Sequence, residues 1–289
     1  MHEFEHFDDY RRFTESVLKR ARYRQEAFAD AFIKTALETS KSRESIIKEG
    51  RVLFRAQLGA GTRIEEQNGE EFEVEAAYDS SRMVPTPEFA MDGRVNPRGI
   101  PCLYLASNKA TAVAEVRPWV GSYVSLAEFK VMKDCRILDC SSDKQRGIMF
   151  LLNSSLDMKP ENRERAVWGD ISYAFSKPVA LDDRHSDYIP TQILAEAFKH
   201  YGYDGIEYRS LLGKEDGKNI ALFDIPSADL MNCCLYKITL VDFNFDQTDN
   251  PYYILKHYPE IHKQIETRES RAKATEVHEA IPPLNRFDP

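Results

Sequence analysis

Short strand-like runs alternate irregularly with helical segments along this chain, and that order is the feature that most constrains its fold. Few of the runs follow the repeating strand–helix–strand order that builds a doubly wound parallel sheet. The pattern therefore predicts an α+β fold. The predicted strands cover residues 51–59, 102–106, 123–132, 135–140, 204–210, 219–224 and 234–245.

The two ends of the chain differ from its middle. Apolar side chains at helical spacing, such as Tyr10, Phe13 and Val17, predict helix from about residue 5 to residue 48, and Gly50 is typical of a helix end. We predict a helical extension over residues 1–50, a central domain over 51–245 and a C-terminal helical tail over 246–289. Further helices are predicted at 143–153, 161–176 and 190–200, and the polar stretch 59–99 is predicted to be a long loop that is either functional or partly ordered by something else.

Composition narrows the class of protein. The 289 residues carry a formal net charge of −8, which disfavours a broad electrostatic grip on nucleic acid and requires a locally positive pocket for any small anionic ligand. No run of about 18 apolar residues predicts a membrane span. The five cysteines show no CxxC spacing, so we expect free thiols and a reducing, cytoplasmic setting.

One metal motif occurs at the start of the chain. Residues 2–6 read HEFEH and match the H-E-x-x-H pattern of zinc proteases, in which two histidines on one helix face bind the metal. The match begins at the second residue, and no third ligand is evident downstream. We therefore predict no metal site.

Six polar residues stand at strand ends, in turns or on a small-residue helix, where binding sites are commonly built. An arginine within an apolar strand suits phosphate recognition, because its guanidinium can donate two parallel hydrogen bonds. Taken singly, each of the six is also compatible with a purely structural role. They are Arg55, Arg94, Tyr104, Glu115, Ser210 and Asn219.

Three separated motifs contain these residues in a recognisable order. The first is LFRAQ (53–57), the second is GRVNPRGIPCLYLASNKATAVAEVRP (93–118), and the third is YIPTQILAEAFKHYGYDGIEYRSLL (188–212) followed by GKNIALF (217–223). Together they resemble the RES domain, a family named for its Arg, Glu and Ser. The resemblance covers residues 51 to about 224.

The resemblance implies a fold and an activity. It implies an α+β core related to ADP-ribosyltransferase toxins, with a cleft that binds NAD as substrate. Members of the family degrade NAD, some with inorganic phosphate as acceptor, and many are toxins neutralised by an Xre-type antitoxin protein. It implies no metal and no resident cofactor. The oligomeric state stays open, with a homo-oligomer among the alternatives.

The resemblance also assigns roles by position. Arg55, Glu115 and Ser210 match the three naming residues and are the expected catalytic set. Tyr104 matches an aromatic of the NAD pocket, and Arg94 and Asn219 match further pocket positions. Arg55, with help from Arg94, is expected to bind the diphosphate or an incoming phosphate, and Glu115 the nicotinamide ribose.

Several functions remain open at this point. The acceptor of the cleaved sugar is either phosphate or water, which makes the enzyme an NAD phosphorylase or an NAD glycohydrolase. One alternative is transfer of ADP-ribose to a protein. Another, from a different class, is a non-catalytic module that binds NAD or ADP-ribose, although binding alone does not require a carboxylate at the ribose.

Overall fold

A computed structural model of the chain describes residues 3–23, 25–142, 159–177, 185–212, 217–243 and 245. Residues 1–241 form one compact unit, and Asp242–Pro289 form a second, of which only residues 242, 243 and 245 are described. The predicted helix at 143–153 and the predicted C-terminal tail at 246–289 lie outside the described residues.

The described part of the chain is a mixed α+β structure, as predicted. Its helices are α1 (Asp9–Lys19), α2 (Ala27–Thr39), α3 (Ser80–Met83), α4 (Lys109–Glu115), α5 (Pro160–Ser176) and α6 (Ile189–His200). Its strands are β1 (Glu44–Ile47), β2 (Val52–Leu58), β3 (Gly61–Gln67), β4 (Glu70–Ala76), β5 (Leu103–Ala106), β6 (Tyr123–Val131), β7 (Cys135–Cys140), β8 (Gly205–Arg209), β9 (Lys218–Leu222) and β10 (Ala228–Lys237).

Eight of these strands form one sheet in the order β1-β7-β8-β9-β5-β2-β6-β10. Only β7 and β8 are paired in parallel among the described strands, and the chain between them includes α5 and α6. Every other neighbouring pair in this sheet is antiparallel. A sheet with a single parallel pair fits the α+β class and not a doubly wound one.

Three details of the predicted elements were wrong. The N-terminal region is not helical up to residue 48, because Glu44–Ile47 form an edge strand paired with β7. The stretch 59–99 is not all loop, because it contains the hairpin β3–β4, which turns at Asn68 and Gly69, the usual hairpin dipeptide. The last strand does not cover residues 234–245 as predicted. It is β10 (Ala228–Lys237), and its last residue, Lys237, pairs with Tyr123, the first residue of β6.

The N-terminal helices pack into the main core. Phe13 and Phe32 are buried and stack at 4.7 Å between ring centroids, in the same apolar cluster as Trp168 of α5 and Phe198 of α6. Trp168 also donates a hydrogen bond from Nε1 to the Thr39 hydroxyl at 3.0 Å. Helices α1 and α2 therefore share a core with the central domain, and the boundary at residue 50 remains a prediction about where the family domain starts.

No helix among the described residues is long and apolar enough to cross a membrane.

Replacing Phe13 tests whether the N-terminal helices belong to the main folding unit. We expect Phe13→Ala to lower the free energy of unfolding by about 3–5 kcal/mol, because it leaves a cavity at a fully buried site. Denaturant unfolding measures this change. Tyr23→Ala, at a side chain that is 96% exposed, is the control and should change stability by less than about 0.5 kcal/mol. A Phe13→Ala effect as small as the control's would show that the N-terminal helices contribute nothing to the core.

Candidate active site

A row of four residues crosses the middle of the large sheet and forms one wall of a cavity. Tyr208 of β8 lies opposite Asn219 of β9, Asn219 opposite Ala106 of β5, and Ala106 opposite Phe54 of β2. Directly opposed residues of antiparallel strands point to the same face, so this register places all four side chains together. All four line a cavity of about 400 Å³, a size within the usual range of ligand pockets.

The cavity lies where two neighbouring strands separate. Phe54 and Ala106 are the only paired residues between β2 and β5 in the described structure. Beyond this pair, Arg55 of β2 donates from Nη1 to the backbone carbonyl of Tyr104 at 3.2 Å. A side chain thus bridges the two strands where backbone pairing stops, and both residues line the cavity.

Glu115 is the one carboxylate among the described residues that line the cavity. It is the last residue of α4, a helix that begins after Asn108, whose side chain accepts a hydrogen bond from the backbone N–H of Thr111. One carboxylate oxygen, Oε1, accepts two hydrogen bonds, from the Ser210 hydroxyl at 2.7 Å and from the Asn219 amide at 2.6 Å. Two donors on one oxygen fix the carboxylate and leave its second oxygen as the acceptor that can meet a ligand.

Ser210 and Asn219 are themselves buried, with 4% and 5% of their surfaces exposed. Asn219 lines the cavity, whereas Ser210 is not among the described lining residues and lies behind Glu115. Gly217 allows the start of β9 to lie close to α4, because a Cβ at this position would lie 2.4 Å from the Thr111 hydroxyl. The structure thus places Glu115 in direct contact with Ser210 and Asn219, the two residues that the sequence predicts to share its site.

The positive charge of the cavity comes from three arginines, Arg55, Arg94 and Arg117, against the single carboxylate. The Nε atoms of Arg55 and Arg94 are buried and have no hydrogen-bond partner. Burial lowers the pKa of Arg55 below its ordinary value, because the charged guanidinium loses water. Buried donors without partners cost free energy, so the two arginines are held here at a cost to stability.

Arg94 is held by its surroundings on two sides. Its Nη2 donates to the backbone carbonyl of Lys177, and its guanidinium lies 5.7 Å from the centre of the Tyr208 ring. Burial raises the pKa of Tyr208 to about 12, so the phenol stays neutral beside the arginine at ordinary pH.

Tyr104 has its ring in the cavity lining and its hydroxyl turned to a neighbouring turn. The hydroxyl donates to Asn96 Oδ1 at 2.7 Å and accepts from the backbone N–H of Val95 at 3.1 Å. Burial raises its pKa well above the ordinary value. Gly93 is required beside it, since a Cβ there would lie 2.3 Å from the hydroxyl oxygen.

Gln192 is a residue that the sequence reasoning missed. It lies on α6, is 8% exposed, and its amide nitrogen donates to the backbone carbonyls of Gly93 and Asn96, each at 2.9 Å. These two carbonyls flank Arg94, so Gln192 fixes the turn that presents this arginine. The signal available in the sequence was a glutamine among the apolar residues of the helix TQILAEAF.

Other lining residues were also missed; two of them, Phe54 and Tyr208, are aromatic side chains in strands, which look like ordinary core residues. The ones that shape the cavity beside the predicted set are Phe54, Arg117, Tyr188 and Tyr208. Of the predicted set, five residues line one cavity and the sixth, Ser210, contacts Glu115 from behind.

Comparison with known families gives one match. The model described as RES domain matches residues 69–239, which is more than half of the chain. The chain therefore belongs to the RES domain family. The match contains Arg94, Tyr104, Glu115, Ser210 and Asn219, whereas Arg55 precedes it.

Comparison with solved structures finds a chain in a crystal structure described as the M. tuberculosis MbcT–MbcA toxin–antitoxin complex. The two chains are 14% identical, the match covers 70% of this chain and 91% of the other, and the TM-score is 0.35. No curated protein matches the chain. The family assignment rests on the sequence model.

Changing Gln192 tests its role in holding the Arg94 turn. In Gln192→Glu the carboxylate faces two carbonyl oxygens, and only its protonated form can donate to one of them. Because the folded state then favours the protonated form, the pKa of the new carboxyl is raised, and stability is lost as the pH rises through it. We expect the unfolding midpoint of this variant to be lower at pH 8 than at pH 5, relative to the unchanged protein.

Gln192→Leu serves as the matched control, because it removes both donors at every pH and should lower stability equally at pH 5 and pH 8. Thermal unfolding at the two pH values measures both variants. An identical pH response of Gln192→Glu and Gln192→Leu would show that the side chain does not face the two carbonyls.

Proposed function

We propose that this protein is an NAD-degrading enzyme that cleaves the bond between nicotinamide and ribose. The observation that carries the proposal is the fixed carboxylate of Glu115 in a cavity that is also lined by Arg55 and Arg94. Membership of the RES domain family supports it.

The chemistry of the bond explains why a carboxylate is needed. When the C1′–N bond breaks, its electron pair moves to the ring nitrogen and nicotinamide leaves as a neutral molecule, so no general acid is required. Positive charge develops on the ribose, as in glycoside hydrolysis. Glu115, preorganised by Ser210 and Asn219, stabilises this charge in the transition state more than in the ground state. Its free oxygen would accept a hydrogen bond from a ribose hydroxyl.

The two arginines would bind the negatively charged part of the substrate, its diphosphate group. A diphosphate group would accept charge-assisted hydrogen bonds from the guanidinium groups of Arg55 and Arg94, which line the cavity. Tyr104 would pack its ring on nicotinamide, because its hydroxyl is already engaged by the Asn96 turn. Ser210 acts through Glu115 and is a positioning residue, whereas Asn219 lines the cavity and can also meet the substrate.

The acceptor is phosphate or water, and the two reactions balance differently. Hydrogen phosphate forms a bond from one oxygen to C1′ and yields ADP-ribose 1″-phosphate, with nicotinamide as the other product. Water forms the same bond, yields ADP-ribose and releases one proton to solvent. Both acceptors approach the same carbon, so the fixed Glu115 serves either reaction.

The two alternative functions require different features of the protein. A protein ADP-ribosyltransferase needs a surface that positions the acceptor side chain of another protein. A non-catalytic NAD- or ADP-ribose-binding module needs the arginines but no carboxylate at the ribose. The observed hydrogen bonds to Glu115 favour catalysis over binding alone.

Within this proposal the enzyme acts in the cytoplasm, where NAD is available, and its unrestrained activity is toxic. An Xre-type antitoxin that closes the cavity is the corresponding partner. Growth arrest on expression of the chain, with loss of cellular NAD, would be the cellular sign of this activity.

Glu115→Gln tests the proposed role of the carboxylate. The amide oxygen can still accept from Ser210 and Asn219, so the fold is kept while the negative charge is lost. We expect purified protein to release nicotinamide from NAD and the variant to show a kcat lower by about 10²–10³-fold. Release is measured with and without phosphate by chromatography of the products.

Glu128→Gln is the matched control, since Glu128 is a carboxylate on β6 that pairs with Lys109 and does not line the cavity. It should leave kcat unchanged. NAD binding without any nicotinamide release by the unchanged protein would favour the binding-module alternative. Equal activity of Glu115→Gln and the unchanged protein would remove Glu115 from the mechanism.

Ser210→Ala separates positioning from direct contact with substrate. Because one of the two donors to Glu115 remains in Asn219, we expect kcat to fall by about tenfold, the size of one charge-assisted hydrogen bond, with little change in KM for NAD. Steady-state kinetics measures both constants. A rise in KM at unchanged kcat would show instead that Ser210 binds the substrate directly.

A further inference from the structure

Ser107 joins the end of β5 to the start of β9, directly beside the site. It follows the last residue of β5 and precedes Asn108, after which α4 begins. Its backbone N–H donates to the carbonyl of Lys218 at 2.9 Å, and its hydroxyl accepts from the backbone N–H of Lys218 at 3.1 Å. Ser107 is half-buried and is not among the described residues that line the cavity.

The Ser107 hydroxyl takes the place that a backbone carbonyl has in a regular ladder. Two opposed residues of a hydrogen-bonded antiparallel pair exchange both of their N–H···O=C bonds. Ser107 makes the first of these bonds from its backbone, but the chain leaves the sheet here to begin α4, and the second acceptor is the side chain. Alanine at this position would take that acceptor away from the Lys218 N–H.

Lys218, the first residue of β9, is also held from its other side. Its Nζ pairs with Glu207 of β8, on the face of the sheet opposite to that of the neighbouring Tyr208, which lines the cavity. Successive side chains of a strand point to opposite faces, so Asn219, the next residue, faces the cavity and donates to Glu115 at 2.6 Å. The position of this donor therefore depends on how firmly the start of β9 is held.

The short helix α4 connects the two ends of this arrangement. Ser107 stands just before the helix, and Glu115 is its last residue. The hydrogen bond from the Lys218 N–H to the Ser107 hydroxyl thus ties the strand that supplies the donor to the helix that supplies the carboxylate. One hydroxyl outside the cavity holds the two sides of the Asn219–Glu115 contact in place.

We propose that Ser107 is a positioning residue for the reaction: its hydroxyl fixes the start of β9 so that Asn219 can donate to Glu115. This inference rests on the proposed NAD cleavage. Ser107 contacts neither the substrate nor the reacting atoms, and its effect on the rate passes through the Asn219 amide.

Ser107→Ala is the central variant. We expect it to lower kcat for nicotinamide release by about fivefold, the size of one neutral hydrogen bond, with little change in KM for NAD. Ser107→Thr keeps the hydroxyl and should recover most of the rate. In an Asn219→Ala background, Ser107→Ala should change kcat by less than about twofold, because the group through which Ser107 acts is already missing.

Ser125→Ala is the matched control. The Ser125 hydroxyl also accepts from a backbone N–H, that of Tyr78 at 2.9 Å, but Ser125 lies on β6 and is not among the described lining residues. This variant should lose stability in denaturant unfolding and keep kcat and KM unchanged. If Ser107→Ala lowers kcat equally with and without Asn219, its effect does not pass through this amide, and the inference is wrong.

A crystal structure of Ser107→Ala provides a second readout that does not depend on turnover. The inference predicts that the Asn219 amide nitrogen lies beyond hydrogen-bond distance, about 3.5 Å, from Glu115 Oε1. A lost contact supports the inference even when the unchanged protein releases no nicotinamide, a result that would overturn only the proposed function. An unchanged kcat in Ser107→Ala, or an intact contact at 2.6 Å, overturns the inference and leaves NAD cleavage standing.

Discussion

The hydrogen bonds from Ser210 and Asn219 to Glu115 are the interaction on which the site depends. Glu115 ends a helix, where the last carbonyls carry partial negative charge and disfavour a nearby carboxylate. The two donors offset this disadvantage, and they come from the end of β8 and the start of β9. The carboxylate is therefore in place only when the helix and the two strands have assembled, which couples the fold directly to the proposed chemistry.

The gap between β2 and β5 is the second feature on which the site depends. Because β2 and β5 pair through one residue each, the sheet opens between them, and the gap holds the half-buried Arg55, whose carbonyl partner belongs to the opposite strand. An open sheet with an incompletely paired cation is costly in an empty protein. Under the proposed function, an anionic substrate bound beside this guanidinium would offset part of that cost.

Motif order in the sequence predicted which residues lie together at the cavity better than it predicted the strands and helices around them. Glu115, Ser210 and Asn219 are far apart in the chain, yet the resemblance placed them in one site, and the structure shows them in contact. The edge strand β1 was missed because its pairing with β7 is a long-range contact that local periodicity does not report. Gln192 was missed for a related reason: its two acceptors lie about a hundred residues earlier in the chain.

The most direct test of the account is a crystal structure of the protein with carba-NAD, an analogue whose altered ribose resists cleavage. The account predicts that a hydroxyl of the nicotinamide-side sugar lies within hydrogen-bond distance, about 3 Å, of the free oxygen of Glu115, and that the diphosphate contacts Arg55 and Arg94. A complex with the adenosine half in the cavity, or with no sugar hydroxyl near Glu115, would contradict the central claim that this carboxylate acts on the nicotinamide ribose.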